Sequence, residues 1–368
     1  MNKITITTKQ KKYPIFINNF SPAEIVDMAK TTFASDRFFL IIDANVNRLH
    51  KKFMDELLLL LGSNTHHFVF QATEKSKSFS KLNQILQSML RSELSRSSLI
   101  IAIGGGITGD MSAFAASIFM RGIKIIHIPT TLISAVDSSI GGKTGINFLN
   151  NKNFIGTFCH PDCVIVNTAF LKTLPKIEIN SGMGEVIKYA FLADKSFFNY
   201  ISDNITLIKN LNETTLHKII QNCLLIKSSI VQQDESEKGL RKILNYGHTF
   251  AHGIESASNF RIKHGLAVNY GLIMALIISK NLKILNEDKF NRLIKLPLKN
   301  LFTDKLQKIS DDRLIYFLRH DKKNFDGQIN LVLIKDIGEL LIDVKTDKKD
   351  ILKGFHDLKL LMKFNWET

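Results

Sequence analysis

Residues 98–103 form an apolar run that passes without a break into Gly104-Gly105-Gly106-Ile107-Thr108-Gly109-Asp110. A strand that ends on glycines and leads into a helical segment rich in small residues, 111–120, restricts the fold to strand–turn–helix units. The flanking sequence repeats the alternation. Segments 4–8 and 13–17 read as an opening hairpin, 37–42 as a short buried strand and 52–61 as a helix. Strands at 67–70, 124–129 and 163–167 enclose an amphipathic helix at 81–94. Strands alternating with helices predict a parallel sheet covered on both faces.

The pattern changes after Leu174-Pro175. Helical periods dominate at 183–193, 214–233, 245–258, 266–284 and 311–319. One hairpin is expected at 329–334 and 339–344, with a turn at Asp336-Ile337-Gly338, and a closing helix at about 348–363. The expected organisation is an α/β domain over residues 1–178 and a mostly helical domain over 179–368, with no internal repeat and no low-complexity linker.

A chain of 368 residues with 45% hydrophobic and 23% charged residues suits a folded two-domain protein. Its net charge is +15, but no block of five or six like charges occurs, so the excess reads as a solvated basic surface, with no nucleic-acid partner expected. A site for an anionic substrate would also gain from that field. Cys159, Cys163 and Cys223 lack metal-knuckle spacing and read as free thiols of a reducing compartment. The stretch MNKITITTKQKKYPIFI alternates like a strand and lacks the apolar core of a secretory signal. The longest apolar stretch, from Leu272 to Ile278, is too short to span a bilayer and reads as a buried helix. No membrane association is expected, and a cytoplasmic location is.

Three motifs carry chemistry. The glycine turn at 104–110 contains G-x-G-x-x-G between a strand and a helix, where free N–H groups and a positive dipole end suit a pyrophosphate. It lies at a later strand than the usual dinucleotide fingerprint, and a tight turn without a ligand remains the alternative. The loop Pro129-Thr130-Thr131 to Gly145 gathers hydroxyls, glycines, Asp137 and Lys143. Gly142-Lys143-Thr144 ends like a phosphate loop, but Asp137 stands where the first glycine of G-x4-G-K-[ST] belongs, so it is not one. Finally, His248 and His252 stand four apart after Gly247 in Leu244–Glu255, which puts both imidazoles on one helical face.

These segments, with Arg121-Gly122, Lys152-Asn153, 170–175, Gly184-Glu185-Val186-Ile187-Lys188-Tyr189, 241–255 and His264-Gly265, resemble the 3-dehydroquinate synthase family of the sugar phosphate cyclases. The resemblance runs from about Asp43 to Lys323. It implies an N-terminal Rossmann-like NAD-binding domain, a mostly helical metal-binding domain, an active site between them and a homodimer. It matches the metal ligands to Glu185, His248 and His264, for Zn2+ or Co2+. For NAD the matching positions are Asp43, Asn45, Glu74, Lys77, Gly105, Gly106, Asp110, Thr130, Thr131, Lys143, Lys152, Phe170 and Thr173. Substrate phosphate is matched to Lys143, Asn153, Asn245 and His252, with Arg121 supplied by a neighbouring subunit. Asp137, Lys188 and Lys227 fall around the reacting centre, and Arg241 with Lys322 or Lys323 at the substrate carboxylate. His252 is thereby a phosphate neighbour and not a ligand.

The implied activity is a carbon–oxygen lyase of the shikimate pathway, on the route to aromatic amino acids. It converts 3-deoxy-D-arabino-heptulosonate 7-phosphate (DAHP), a small phosphorylated keto acid, into 3-dehydroquinate and phosphate. The steps are transient oxidation by NAD, phosphate elimination, re-reduction and intramolecular aldol closure. Two departures from the family pattern bear on this. Thr73 replaces the usual glycine before Glu74, and Leu266 replaces a common Glu after His264-Gly265, where an acid could support the metal-ligand histidine. The alternatives are a divergent cyclase with another substrate and a metal- and NAD-dependent alcohol dehydrogenase of similar architecture. Arg241, Lys227 and Lys322-Lys323 favour an acid substrate.

Overall fold

The computed structural model describes residues 2–9, 11–35, 37–149, 151–302, 305–319 and 329–366. The chain divides into two compact units: Met1–Pro175 with Leu216–Ser228, and Lys176–Thr215 with Ser229–Thr368.

The first unit is built on a seven-stranded sheet. Its strands are β1 (Asn2–Thr7), β2 (Lys12–Asn18), β3 (Phe38–Asp43), β4 (Thr65–Phe70), β5 (Leu99–Gly104), β6 (Lys124–Pro129) and, after a separate hairpin of β7 (Lys143–Phe148) and β8 (Asn151–Phe158), β9 (Cys163–Asn167). The order is β1-β2-β9-β6-β5-β3-β4, with β1 antiparallel to β2 and every other pair parallel. Successive residues of β3 and β5 serve opposite faces. Phe38, Leu40, Ile42, Leu99, Ile101 and Ile103 pack with Ile25, Ala29, Met54 and Leu57 of the helices Pro22–Phe33 and Lys51–Leu61. Phe39, Ile41, Ile100 and Ala102 pack with Leu82, Ile85, Met111 and Ala115 of the helices Phe79–Arg91 and Gly106–Ile118. Burial on both faces is why β5 reads as an unbroken apolar run. Each fully buried Ile or Leu contributes about 1.5–3 kcal/mol.

The chain leaves β3 toward β4 and leaves β5 toward β6, so the direction of winding reverses between β3 and β5. Ligands of such sheets bind at the carboxyl ends of the strands at this reversal. Asp43 and Gly104 end those two strands.

The second unit is mostly helical. Its centre is the helix His264–Asn281, buried on all sides from Gly265 to Ser279. It packs against the helices Lys176–Leu192, His248–Ala257 and Lys348–Trp366 and against the hairpin of β10 (Ile329–Asp336) and β11 (Glu339–Thr346). A helix apolar all round belongs in a core, and among the described residues no helix is long and apolar enough to cross a membrane.

Several elements differ from the sequence expectation. The helix after the glycine turn starts at Gly106, five residues early, because Gly105 itself serves as its N-cap. The helix Lys195–Lys209, capped by Asp194 through the Phe197 N–H at 2.8 Å, was not anticipated, nor was the hairpin β7–β8. The helix of the histidine run begins at His248, since Gly247 sits at φ +79° and a Cβ there would lie 2.9 Å from the Leu272 nitrogen.

Candidate functional site

In the first unit, the residues expected to hold a cofactor line the carboxyl edge of the sheet. Asp43 caps the helix Ala44–Leu49, its carboxylate accepting the Asn45 N–H at 2.7 Å. Gly105 and Gly106 open the helix Gly106–Ile118, whose first N–H groups have no side-chain cap. Thr130 and Thr131 follow β6, and Thr131 Oγ1 lies 2.8 Å from Ser134 Oγ. Phe170 and Thr173 lie in the turn after β9, where Thr173 Oγ1 is 2.8 Å from His50 Nε2. These residues come from four strands far apart in sequence, and the parallel register aligns them.

Beside that edge lies a chain of charges. Lys77, 4% exposed, donates to the Asp110 carboxylate and to the Asn153 side-chain oxygen. Burial pushes the Asp110 carboxyl above its ordinary range, against the opposing charge of Lys77. Lys152 Nζ lies 3.4 Å from Glu74 Oε1, and Asn147 Nδ2 donates to Glu74 Oε2 at 2.9 Å. Lys152 and Asn153 reach this network because β8 folds back along β7, which opens with Lys143. Lys227 is buried and donates to the Asp137 carboxylate at 2.9 Å and to its carbonyl at 3.0 Å. Asp137 sits in a π-helical turn, Ser134–Ser138. Arg121 is exposed, at φ +67°, as the last residue of the short 3-10 extension Phe119–Arg121 that follows the helix Gly106–Ile118.

In the second unit, Glu185, His248 and His264 offer ligand atoms that all lie within 4.8 Å of one another. Glu185 is 1% exposed, and its Oε1 is 3.3 Å from Nε2 of both histidines. Its Oε2 is 2.6 Å from the buried Lys188 ammonium. Each imidazole is oriented from behind. His248 Nδ1 is 3.3 Å from the Tyr246 carbonyl, and His264 Nδ1 is 3.0 Å from Glu255 Oε2. Both acceptors call for an N–H on Nδ1, which leaves each Nε2 with a lone pair aimed at a carboxylate oxygen. Two lone pairs facing an anion repel unless a cation sits among them. Ligands arranged tetrahedrally about 2.1 Å from a Zn2+ stand about 3.4 Å apart, close to the 3.3 Å observed. The donor set therefore fits a divalent metal.

Charge balance agrees with this geometry. Burial raises the Glu185 carboxyl, but Lys188 and then His248 outweigh it and hold the group well below its ordinary range. Burial pushes His248 down to about 4, which favours a neutral imidazole. Burial also opposes charge on His264, but Glu255 and Glu185 prevail and push it up to about 10. In the metal-free site a proton on Nε2 therefore takes the cation's place beside Glu185, and a metal must displace that proton to gain the lone pair.

His252, one turn beyond His248, lies outside the ligand group. Its ring centroid is 5.9 Å from that of His248 and 6.3 Å from that of His264. Arg241, 2% exposed, is held on a loop gathered by Asp234, whose carboxylate accepts the N–H groups of Lys238, Gly239 and Arg241 at 3.1, 2.7 and 3.0 Å. Its Nη1 donates to the Glu235 carbonyl at 2.5 Å, and Asn245 Nδ2 donates to Glu237 Oε1 at 2.6 Å. Lys322 and Lys323 lie outside the described residues. Leu266 is buried in the central helix, and the acid beside His264 is Glu255, a residue to which the sequence assigned no role. Its signal was available: 248, 252 and 255 are i, i+4 and i+7 on one helical face.

Two family models match the chain, 3-dehydroquinate synthase N-terminal over residues 67–181 and 3-dehydroquinate synthase C-terminal over 182–324. A 3-dehydroquinate synthase of Endomicrobium trichonymphae is 38% identical over 364 residues, covering 96% of this chain and 99% of that protein. Among solved structures, 2-deoxy-scyllo-inosose synthase complexed with carbaglucose-6-phosphate, NAD+ and Co2+ superposes with a TM-score of 0.88 at 23% identity, over 97% of this chain and 99% of the other. ValA, the 2-epi-5-epi-valiolone synthase of Streptomyces hygroscopicus subsp. jinggangensis 5008 with NAD+ and Zn2+ bound, superposes with a TM-score of 0.85 at 22% identity, over 96% and 99%.

Proposed function

The chain belongs to the 3-dehydroquinate synthase family, and from that membership we propose that it converts DAHP into 3-dehydroquinate and phosphate, using NAD and a divalent metal. The observation that carries this reading is the convergence of two Nε2 lone pairs and one buried carboxylate oxygen in the second unit. The assignment of cofactor binding to residues 1–178, and of metal and substrate binding chiefly to 179–368, belongs to the same proposal.

Glu185, His248 and His264 would hold the metal. Asp43, Asn45, the turn at Gly105-Gly106, Thr130, Thr131, Phe170 and Thr173 would hold NAD, with Glu74, Lys77, Asp110, Lys143 and Lys152 around it. When bound, the metal supplies Lewis acidity to a substrate hydroxyl and NAD supplies reversible hydride acceptance. The side chains of this protein contribute position and electrostatics. Lys143, Asn153, Asn245 and His252 would bind the phosphate as it departs. Asp137, Lys188 and Lys227 would surround the reacting carbons, two of them as buried ammonium groups whose charge suits an anionic intermediate. Arg241 would take the substrate carboxylate, with Lys322 or Lys323 as its partner. Arg121, exposed at the end of its helix, suits the expected role in a neighbouring copy, and hence a homodimer. The three free thiols suit a cytoplasmic protein.

Purified protein with Co2+ or Zn2+ and NAD+ should release phosphate from DAHP and form 3-dehydroquinate. Cyclisation of sedoheptulose 7-phosphate with DAHP untouched would instead assign the chain to another cyclase reaction. Arg241→Ala should raise KM for DAHP by about tenfold to a hundredfold, the worth of one charge-assisted hydrogen bond. An unchanged KM would remove Arg241 from the carboxylate site.

A further inference from the structure

We infer that Glu255 is the positioning residue of the metal centre, fixing the third ligand, His264, in the tautomer and orientation that expose its Nε2. This rests on the reading of Glu185, His248 and His264 as metal ligands. Glu255 is 4% exposed, and its Oε2 lies 3.0 Å from His264 Nδ1. Bound from that side, the ring can turn only Nε2 toward Glu185 Oε1, 3.3 Å away. A carboxylate behind a metal-bound imidazole also makes the ligand nitrogen more basic.

The position of Glu255 is otherwise unfavourable. It lies in the last turn of the helix His248–Ala257, where the dipole end is negative and an acidic side chain is disfavoured. It is also a buried carboxylate, which costs free energy unless a partner meets it. A residue that is locally costly in two respects marks a place where function outweighs local stability. The helix thus works twice for one site. His248, at its first residue, is a ligand, and Glu255, two turns on along the same face, reaches a ligand of the next helix. The two histidines are therefore locked to each other through one rigid element, although they are 16 positions apart in sequence.

A purely structural Glu255 and a positioning Glu255 predict different results. The test is Co2+ titration of the metal-free full chain, followed by the visible d–d absorption, for wild type, Glu255→Gln and Glu255→Leu, with thermal midpoints of each metal-free protein. We expect Glu255→Gln to weaken Co2+ binding and Glu255→Leu to weaken it further, within the roughly 10–100-fold range of outer-shell changes, and both to alter the d–d band. The metal-free midpoints should stay close to wild type. Wild-type Co2+ affinity and spectrum in both variants would overturn the inference while leaving the metal site intact. So would a loss of affinity matched by a large fall in the metal-free midpoint, since the residue would then be a fold contact. Absence of Co2+ binding by the wild-type chain would overturn the metal reading itself.

Discussion

Gly184→Ala is expected to destabilise the second unit by about 3 kcal/mol or more, at the upper end of overpacking costs, and to separate two metal ligands. The helices Lys176–Leu192 and His264–Asn281 touch backbone to backbone. A Cβ on Gly184 would lie 1.8 Å from the Gly265 carbonyl oxygen, and a Cβ on Gly265 would lie 1.8 Å from the Ser181 carbonyl oxygen. Neither obstacle is a side chain that can rotate away, so the helices themselves must part. The next residue after Gly184 is Glu185, and the one before Gly265 is His264. The glycine contact therefore sets the 3.3 Å between Glu185 Oε1 and His264 Nε2. A shift of even about 1 Å is enough to spoil a preorganised site. Thermal denaturation should show a midpoint lower by roughly 6–12 °C, from about 2–4 °C per kcal/mol in units of this size. Co2+ titration should show weakened binding in the protein that remains folded. A wild-type midpoint together with wild-type metal affinity would mean that the two helices do not meet through these glycines.

His248→Ala is expected to abolish tight metal binding and to lower kcat/KM by about a hundredfold to ten-thousandfold. That range converts the several kcal/mol of charge stabilisation a Lewis-acid metal supplies, at 1.36 kcal/mol per factor of ten. The side chain is removed from a site where Glu185 faces Lys188 at 2.6 Å, so that pair keeps the carboxylate satisfied and the chain folded. His252→Ala provides the contrast. It should retain the metal and lose phosphate affinity, because His252 lies on the same face but outside the ligand group. Metal analysis after gel filtration, paired with steady-state kinetics, separates the two. Full metal content in His248→Ala, or loss of metal in His252→Ala, would reverse the assignment of the two histidines.

The parallel sheet was legible because strands buried on both faces are apolar throughout, as 38–42 and 99–103 are. The hairpin β7–β8 was not. Gly145 and Gly156 face each other in it, and a Cβ on Gly156 would lie 1.9 Å from the Thr144 carbonyl oxygen. Glycine is a poor strand former, so a segment that needs it for close backbone approach reads as loop. The helix Pro22–Phe33 is signalled in the sequence by a full capping box in Ser21 and Glu24, with Pro22 in its first turn, although it falls outside the elements predicted from hydrophobic periodicity. At the site, the i, i+4 spacing of His248 and His252 was visible, and their division of roles rested on the resemblance alone. Glu185 and His264 come from other helices, and spacing cannot link residues joined only by packing. The same holds for Gly184 and Gly265, whose contact brings those ligands together.

The central claim is a reaction in which NAD+ is reduced and then oxidised again within each turnover. Its most direct test follows phosphate, 3-dehydroquinate and NADH absorbance together, with DAHP in large excess over NAD+ and enzyme in the presence of Co2+. The account predicts many moles of phosphate and of 3-dehydroquinate per mole of NAD+, in equal amounts, with no net accumulation of NADH. NADH accumulating in step with substrate consumed, or product formation stopping at one equivalent of NAD+, would contradict it.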